Sequence, residues 1–353
     1  LEALFDSGAI APEEVVAIFG KTEGNGCVND FTRAYSVDML KVMFAERLGC
    51  SRKAVAERIA MVMSGGTEGG LSPHLLIVGV RTHATAAVAA GTPALAVGTA
   101  FTRDFLPEEQ GRMTMVRETA AAVRRAMESA GLDSIDDVHF VQVKCPLLTS
   151  ERIADAHARG QQVVTEDTYA SMGYSRGASA LGAALALGEL AEDQVSDAAI
   201  GHDWSLYSGR ASASAGVELL NCEIIVLGNS PYWTGDKIIA HDVMRDAIDA
   251  PALWRALAGV GLDAPPQLDD TARDRLCAVL CKAEPATTGE IRGNRHIMID
   301  DSDINATRHA RAVVGGVVAG AVGRTDVFVS GGAEHQGPDG GGPVAVIAVR
   351  SAA

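Results

Sequence analysis

The chain has 353 residues, 47% of them apolar and 5% aromatic, with 38 glycines and a formal charge of −15. A surplus of that sign excludes nucleic acid and anionic membrane as partners, because both are held by a concentrated basic surface; no uninterrupted apolar run is long enough to span a bilayer, and cytoplasm is the default location. The length exceeds what one core commonly supports and suits three units of roughly 100 to 130 residues.

From the front, an amphipathic helix begins at Leu1, and Ser7-Gly8-Ala9-Ile10 stands where its glycine stop belongs. The apolar strand Val15 to Lys21 follows and ends in lysine, and Thr32-Arg33 opens a helical stretch. Ser64-Gly65-Gly66-Thr67-Glu68 then leads into a strand at Leu75 to Val80. The same order returns twice. A second copy runs from the strand Leu95 to Gly98 through a helix stopped at Gly131-Leu132-Asp133 to the strand Val138 to Lys144. It continues with Ser175-Arg176, Ser214-Ala215-Gly216-Val217-Glu218 and the strand Ile224 to Gly228. The third runs from Ile238 to His241 through Gly261-Leu262-Asp263 to Cys277 to Lys282, then Thr307-Arg308, Ser330-Gly331-Gly332-Ala333-Glu334 and Val344 to Val349. The copies divide the chain into 1–85, 92–232 and 237–353. Against the other two, the first is expected to be short by one strand and part of a helix at its front.

A single serine before glycines is ordinarily a turn, and a single lysine at a strand end is ordinarily a solvated edge residue. Repetition changes that reading, because preserving a fold three times requires apolar periodicity and turns but not lysine, arginine and serine together each time. A neutral lysine can take a serine proton when desolvation and neighbouring positive charge lower its pKa. Glycines after the serine let backbone N–H groups approach an oxyanion. Serine–lysine pairs perform such acyl chemistry on several folds, and cleavage of an amide or imide is the expected outcome. The glutamate closing each S-x-G-x-E phrase either holds the lysine or arginine of its own repeat or begins a strand in water.

The remaining signals are weaker. Six cysteines lie mostly in or beside apolar runs and read as buried free thiols. Nine histidines form no H-x-H or H-E-x-x-H pair, which leaves a zinc-activated water poorly supported. The loop Glu334 to Pro343 is glycine-rich but leads into a strand and lacks G-K-[ST], so it suits a hard cation such as Mg2+ or Ca2+ through its carbonyls better than a nucleotide phosphate.

Ser64 to His74, Lys144-Cys145-Pro146-Leu147-Leu148, Gly293-Asn294-Arg295-His296 and Ser330 to Pro338 together resemble the cyanuric acid hydrolase and barbiturase family over essentially the whole chain. The resemblance implies an α/β fold of three similar αβ domains around a pseudo-threefold axis, with the active site at the centre. It also implies hydrolytic opening of a cyclic imide without a catalytic metal. Lys144 and Ser214 correspond to the family's base and nucleophile. Lys21 with Ser64 and Gly65, Ala215, and Lys282 with Ser330 and Gly331 are implied to hold the ring, together with Arg33 and Arg176. For the third arginine the internal repeat points to Arg308 and the family's spacing to Arg311, which is the one chosen. A structural Mg2+ or Ca2+ is implied at Glu284, Ala333, Gln336, Gly337, Pro338 and Gly341, and a homotetramer as the assembly. Ala215, where the other copies have glycine, is expected to narrow the approach to the oxyanion. Cyanuric acid is the expected substrate, with barbituric acid and a non-catalytic binding protein as the alternatives.

Overall fold

The computed structural model describes residues 1–81, 91–263 and 265–351; the expected boundary at 85 and the end at 353 lie outside them. Its strands form three sheets of matching order. In the first, β1 (Val15–Thr22) is central, flanked by parallel β2 (Ala60–Gly65) and antiparallel β3 (His74–Gly79). The second contains β4 (Ala94–Phe101), β5 (Val138–Pro146), β6 (Ala211–Gly216) and β7 (Glu223–Ser230) in the order β4-β7-β5-β6. The third contains β8 (Lys237–Met244) and β9 (Leu276–Ala283). After a small hairpin of β10 (Glu290–Ile291) and β11 (Asn294–Arg295) come β12 (Phe328–Gly331) and β13 (Gly342–Val349), giving the order β8-β13-β9-β12.

In each sheet the strand ending in lysine lies beside the strand ending in serine, and the two are parallel. Parallel neighbours need a crossover, which here is helical. Between β1 and β2 run α1 (Phe31–Leu48) and α2 (Arg52–Ala56); between β5 and β6 run α3 (Ser150–Ala158) and α4 (Thr168–Ala186); between β9 and β12 runs α5 (Ala306–Val322). The lysine strands are nearly continuous apolar runs because they are buried on both faces. One face packs under its own helices, as where Val37, Leu40 and Phe44 of α1 meet Ile18 and Met61. The opposite faces of all three sheets meet in one shared core that includes Phe19, Val62, Phe140, Ile225, Leu227, Ile239, Leu280, Phe328 and Ile347. Phe19 and Phe328 join the first and third sheets edge to face at 5.5 Å.

The outer edge of each serine strand is closed by a lysine from the next repeat. Lys144 Nζ donates to Met63 O at 2.7 Å, Lys282 Nζ to Ala213 O at 2.8 Å, and Lys21 Nζ to Val329 O at 2.7 Å. The contacts run cyclically from first to second to third and back to first. An exposed strand edge is a pairing hazard, and these three lysines each cap one of them.

Candidate active site

The lysine and serine of each copy are brought together by strand register. Lys21 lies opposite Ser64, Lys144 opposite Ser214 and Lys282 opposite Ser330. One residue before Lys21, Gly20 leaves room for the Met63 side chain, since a Cβ would stand 2.3 Å from Met63 Sδ. Lys21 Nζ donates to Ser64 Oγ at 3.2 Å and Lys282 Nζ to Ser330 Oγ at 3.1 Å. The second repeat differs. Lys144 faces Glu218 at 2.9 Å and has no hydrogen bond to Ser214, although both lie at the same register as their counterparts.

Burial is the leading influence on all three lysines. It pushes Lys21 well below the usual lysine range with help from the Arg311 charge, and brings Lys282 to about 7 with help from Arg176. It also lowers Lys144, where Glu218 opposes the shift and Arg33 adds to it. A lysine with a lowered pKa can be a base near neutrality.

Three helices supply the arginines, and each starts at a side-chain cap. Asp30 accepts from Thr32 N at the front of α1, Asp167 from Tyr169 N and Ala170 N at the front of α4, and Asn305 from Thr307 N at the front of α5. Arg33 follows its cap by one turn, whereas Ser175-Arg176 lies in the middle of α4 rather than at its mouth, a departure from the sequence reading. Arg311 is buried, while the side chain of Arg308 is 44% exposed. A cavity is lined by Arg33, Arg176 and Arg311 together with Ser64, Gly65, Ser214, Ala215 and Gly331. Lys21, Lys144, Lys282 and Ser330 lie buried behind that lining. Two further lining residues, Gly26 and Met172, carry no signal in the serine phrases. Met172 precedes Arg176 by four residues on one helix face, the spacing that could have found it.

Glu218 keeps the expected partner, Lys144 of its own repeat, while the other two glutamates depart from both sequence readings. Glu68 accepts from Arg311 Nε and Nη2 at 2.7 and 2.6 Å, and Glu334 accepts from Arg176 Nε and Nη2 at 2.7 and 2.6 Å. Each therefore holds an arginine of a different repeat, which corrects the expectation of a partner within its own. Burial alone would raise both carboxyl groups, and the bonded arginines more than offset it, so Glu68 lies below its ordinary value and Glu334 falls to about 2. Ala215 also has a structural reason. A Cβ at Gly65 would meet Asp30 Oδ2 at 1.8 Å, and one at Gly331 would meet Thr307 Cγ2 at 2.1 Å. In the second repeat Ala215 packs into the apolar core that contains Met172.

The loop after Ser330 folds back under the site. His335, at a left-handed φ of 59°, is buried, its ring engaged by Leu206 O at 2.6 Å and Gly201 N at 2.8 Å. Gln336 Oε1 accepts from Ala213 N at 2.6 Å. Glu284 accepts from Gly332 N at 2.8 Å and from Thr307 Oγ1, and it lines a second cavity with Ala333. Among the described residues no three His, Cys, Asp or Glu side chains are grouped as ligands. A cation here would be held chiefly by Glu284 and main-chain carbonyls of the loop, a donor set of hard oxygens that fits Mg2+ or Ca2+. Among the described residues no helix is long and apolar enough to cross a membrane.

Three matched sheets, with lysine and serine in one register and three arginines around a shared cavity, define a class. The chain belongs to the family of amidohydrolase ring-opening proteins, whose sequence profile matches residues 1–349. It is 59% identical over 351 residues to a cyanuric acid amidohydrolase of Ectopseudomonas oleovorans strain CECT 5344, covering 99% of this chain and 95% of the relative. It is 54% identical to the cyanuric acid amidohydrolase of Pseudomonas sp. strain ADP, covering 99% and 94%. A solved cyanuric acid hydrolase, described as an evolutionary innovation by structural concatenation, superposes with a TM-score of 0.94 at 53% identity over 99% of this chain and 94% of that one. The cyanuric acid hydrolase of A. caulinodans superposes with a TM-score of 0.91 at 55% identity, with the same coverage.

Proposed function

We propose that this chain is a cyanuric acid amidohydrolase acting through Lys144 and Ser214. The observation that carries the reading is the convergence of three lysine–serine registers on one cavity lined by three arginines. Cyanuric acid alternates carbonyl and N–H groups around a six-membered ring with threefold symmetry, so each repeat meets one sector. Arg33, Arg176 and Arg311 bind ring carbonyls, and Ser64 with Gly65, Ser330 with Gly331, and Lys21 and Lys282 behind them hold the sectors that do not react.

Reaction needs one sector to differ, and the second repeat is the one whose lysine has a different partner. Lys144 as the free amine takes the Ser214 proton, and Oγ attacks a ring carbonyl carbon. Backbone N–H groups near Ser214 and Ala215 stabilise the oxyanion. The ring C–N bond breaks, and the nitrogen departs with the proton held by Lys144. Water then attacks the acyl-enzyme, restores the serine hydroxyl and releases carboxybiuret, which loses CO2 to give biuret.

The repeat units in this reading are 1–85, 92–232 and 237–353. A cation, Mg2+ or Ca2+, would be held by Glu284, Ala333, Gln336, Gly337, Pro338 and Gly341, and when bound it would supply a fixed charge that orders the loop. Glu334 in that loop holds Arg176, so ordering it orients a substrate arginine. The assembly is a cytoplasmic homotetramer. Assaying cyanuric and barbituric acid side by side tests the substrate, and a preference for barbituric acid would reassign it. Ser214→Ala is expected to abolish turnover while ring binding stays measurable by calorimetry. Retained turnover in that variant, with loss on Ser64→Ala or Ser330→Ala, would move the chemistry to another repeat.

A further inference from the structure

Two of the three glutamates pair alike, each with the arginine of the preceding repeat: Glu68 with Arg311 and Glu334 with Arg176. Continuing the cycle assigns Arg33 to Glu218, and that pair is open. Arg33 donates instead to Gly26 O at 3.3 Å and Cys27 O at 2.6 Å, and its buried Nε has no partner. Glu218 lies 2.9 Å from Lys144, close enough to pair charges, yet neither of its buried oxygens receives a well-directed hydrogen bond. Unsatisfied buried donors and acceptors are costly, and joining Arg33 to Glu218 would satisfy both.

We propose that Glu218 is a positioning residue that partners Lys144 in the empty site and Arg33 in the ring-bound site, the second pairing freeing Lys144 to bond Ser214. The proposal rests on the cyclic-imide reading above. Arg33, Arg176 and Arg311 all line the cavity, so an entering ring meets their guanidinium groups. Carboxylates clamp Arg176 and Arg311, whereas only main-chain carbonyls hold Arg33, which is therefore the one that yields. In the two closed pairs the guanidinium gives Nε and Nη2 to glutamate. Joined to Glu218 in the same way, Arg33 would have Nη1 left for a ring carbonyl.

The groups facing Lys144 are Glu218, Arg33, the Cys145 thiol and, across the strand pair, Glu223, with Arg152 beside Glu218. Of these, Glu218 makes the direct ion pair that favours the ammonium. When Glu218 turns to Arg33 that support is removed and the amine is favoured, so the base is armed only once the ring is seated.

The test compares Glu218→Gln with Glu68→Gln and Glu334→Gln in kcat and kcat/KM for cyanuric acid across pH. In the wild type the acid limb of kcat is expected below that of kcat/KM, because the bound complex has already moved Glu218. In Glu218→Gln the limb of kcat/KM falls by about one unit or more and the two limbs coincide. The other two variants raise KM and leave the limbs where the wild type has them. An unmoved limb in Glu218→Gln, or an equal shift in all three variants, overturns the proposal. Should Glu218→Gln not fold, a crystal structure of Ser214→Ala with cyanuric acid decides. Glu218 bonded to Arg33 supports the exchange, and Glu218 still on Lys144 beside a bound ring overturns it. Wild-type protein inactive on both imides would instead refute the functional reading, so the two failures are distinguishable.

Discussion

At the scale of the residue, the site is governed by which buried charges are paired. Arg176 is buried and Glu334 partly so, and two hydrogen bonds join them. Glu334→Gln removes the charge and leaves the arginine poorly held. Hydrogen bonds to charged groups are worth about 1.5–3 kcal/mol, so KM for the ring is expected to rise roughly ten- to hundredfold with a smaller change in kcat. Steady-state kinetics checks this. A fall confined to kcat would mean that Arg176 acts on the transition state and does not hold the ring equally in both states.

At the scale of the element, glycine separates the three serine loops. Gly65→Ala would drive a methyl into Asp30, which caps α1 and also accepts from Gly26 N at 2.8 Å. The expected cost is about 1–3 kcal/mol of stability, read by urea unfolding. Ala215→Gly should lose only about 0.5–1 kcal/mol, the backbone entropy of glycine in a strand. Equal losses would show that the two loops have the same freedom. The loop from Ala333 to Gly341 supplies a second expectation. If it binds a divalent cation, chelation lowers Tm and either Mg2+ or Ca2+ restores it, since a ligand of the native state stabilises by mass action. An unchanged melting curve in chelator would remove the cation from the account.

At the scale of the whole molecule, the repeats touch through polar pairs as well as the shared core. His139 of β5 and His241 of β8 share a hydrogen between their Nδ1 atoms at 2.8 Å. Burial brings both to about 4; Arg210 repels a proton on either ring, and His241 is further lowered by His139. Because these values lie below that of an unfolded histidine, the unfolded chain binds more protons between the two. The contribution to stability is therefore unaffected by pH above about 6.5 and is lost as pH falls towards about 4. His139→Gln is expected to flatten unfolding free energy against pH across that window. An identical slope in variant and wild type would show that the pair does not drive acid sensitivity.

How much was legible depended on whether a feature is local. The S-x-G-x-E phrases, the apolar strands ending in Lys21, Lys144 and Lys282, and the repeated order of elements along the chain could be read because periodicity is a short-range property. Helix starts were less legible. Capping shifts from Asp30 to Asp167 to Asn305 relative to the arginine each helix carries, so alignment at the helix mouth selected Arg308, and family spacing was needed to reach Arg311. The exchange of partners between repeats was not legible at all. Glu68 and Arg311 are 243 positions apart, and no local pattern encodes which of three equivalent arginines a buried glutamate will meet. Sequence alone determined the parts and their number. Only the tertiary structure decided that lysines and glutamates reach across to a neighbouring repeat, and that Glu218 breaks the cycle, because burial and proximity are properties of the assembled lobes.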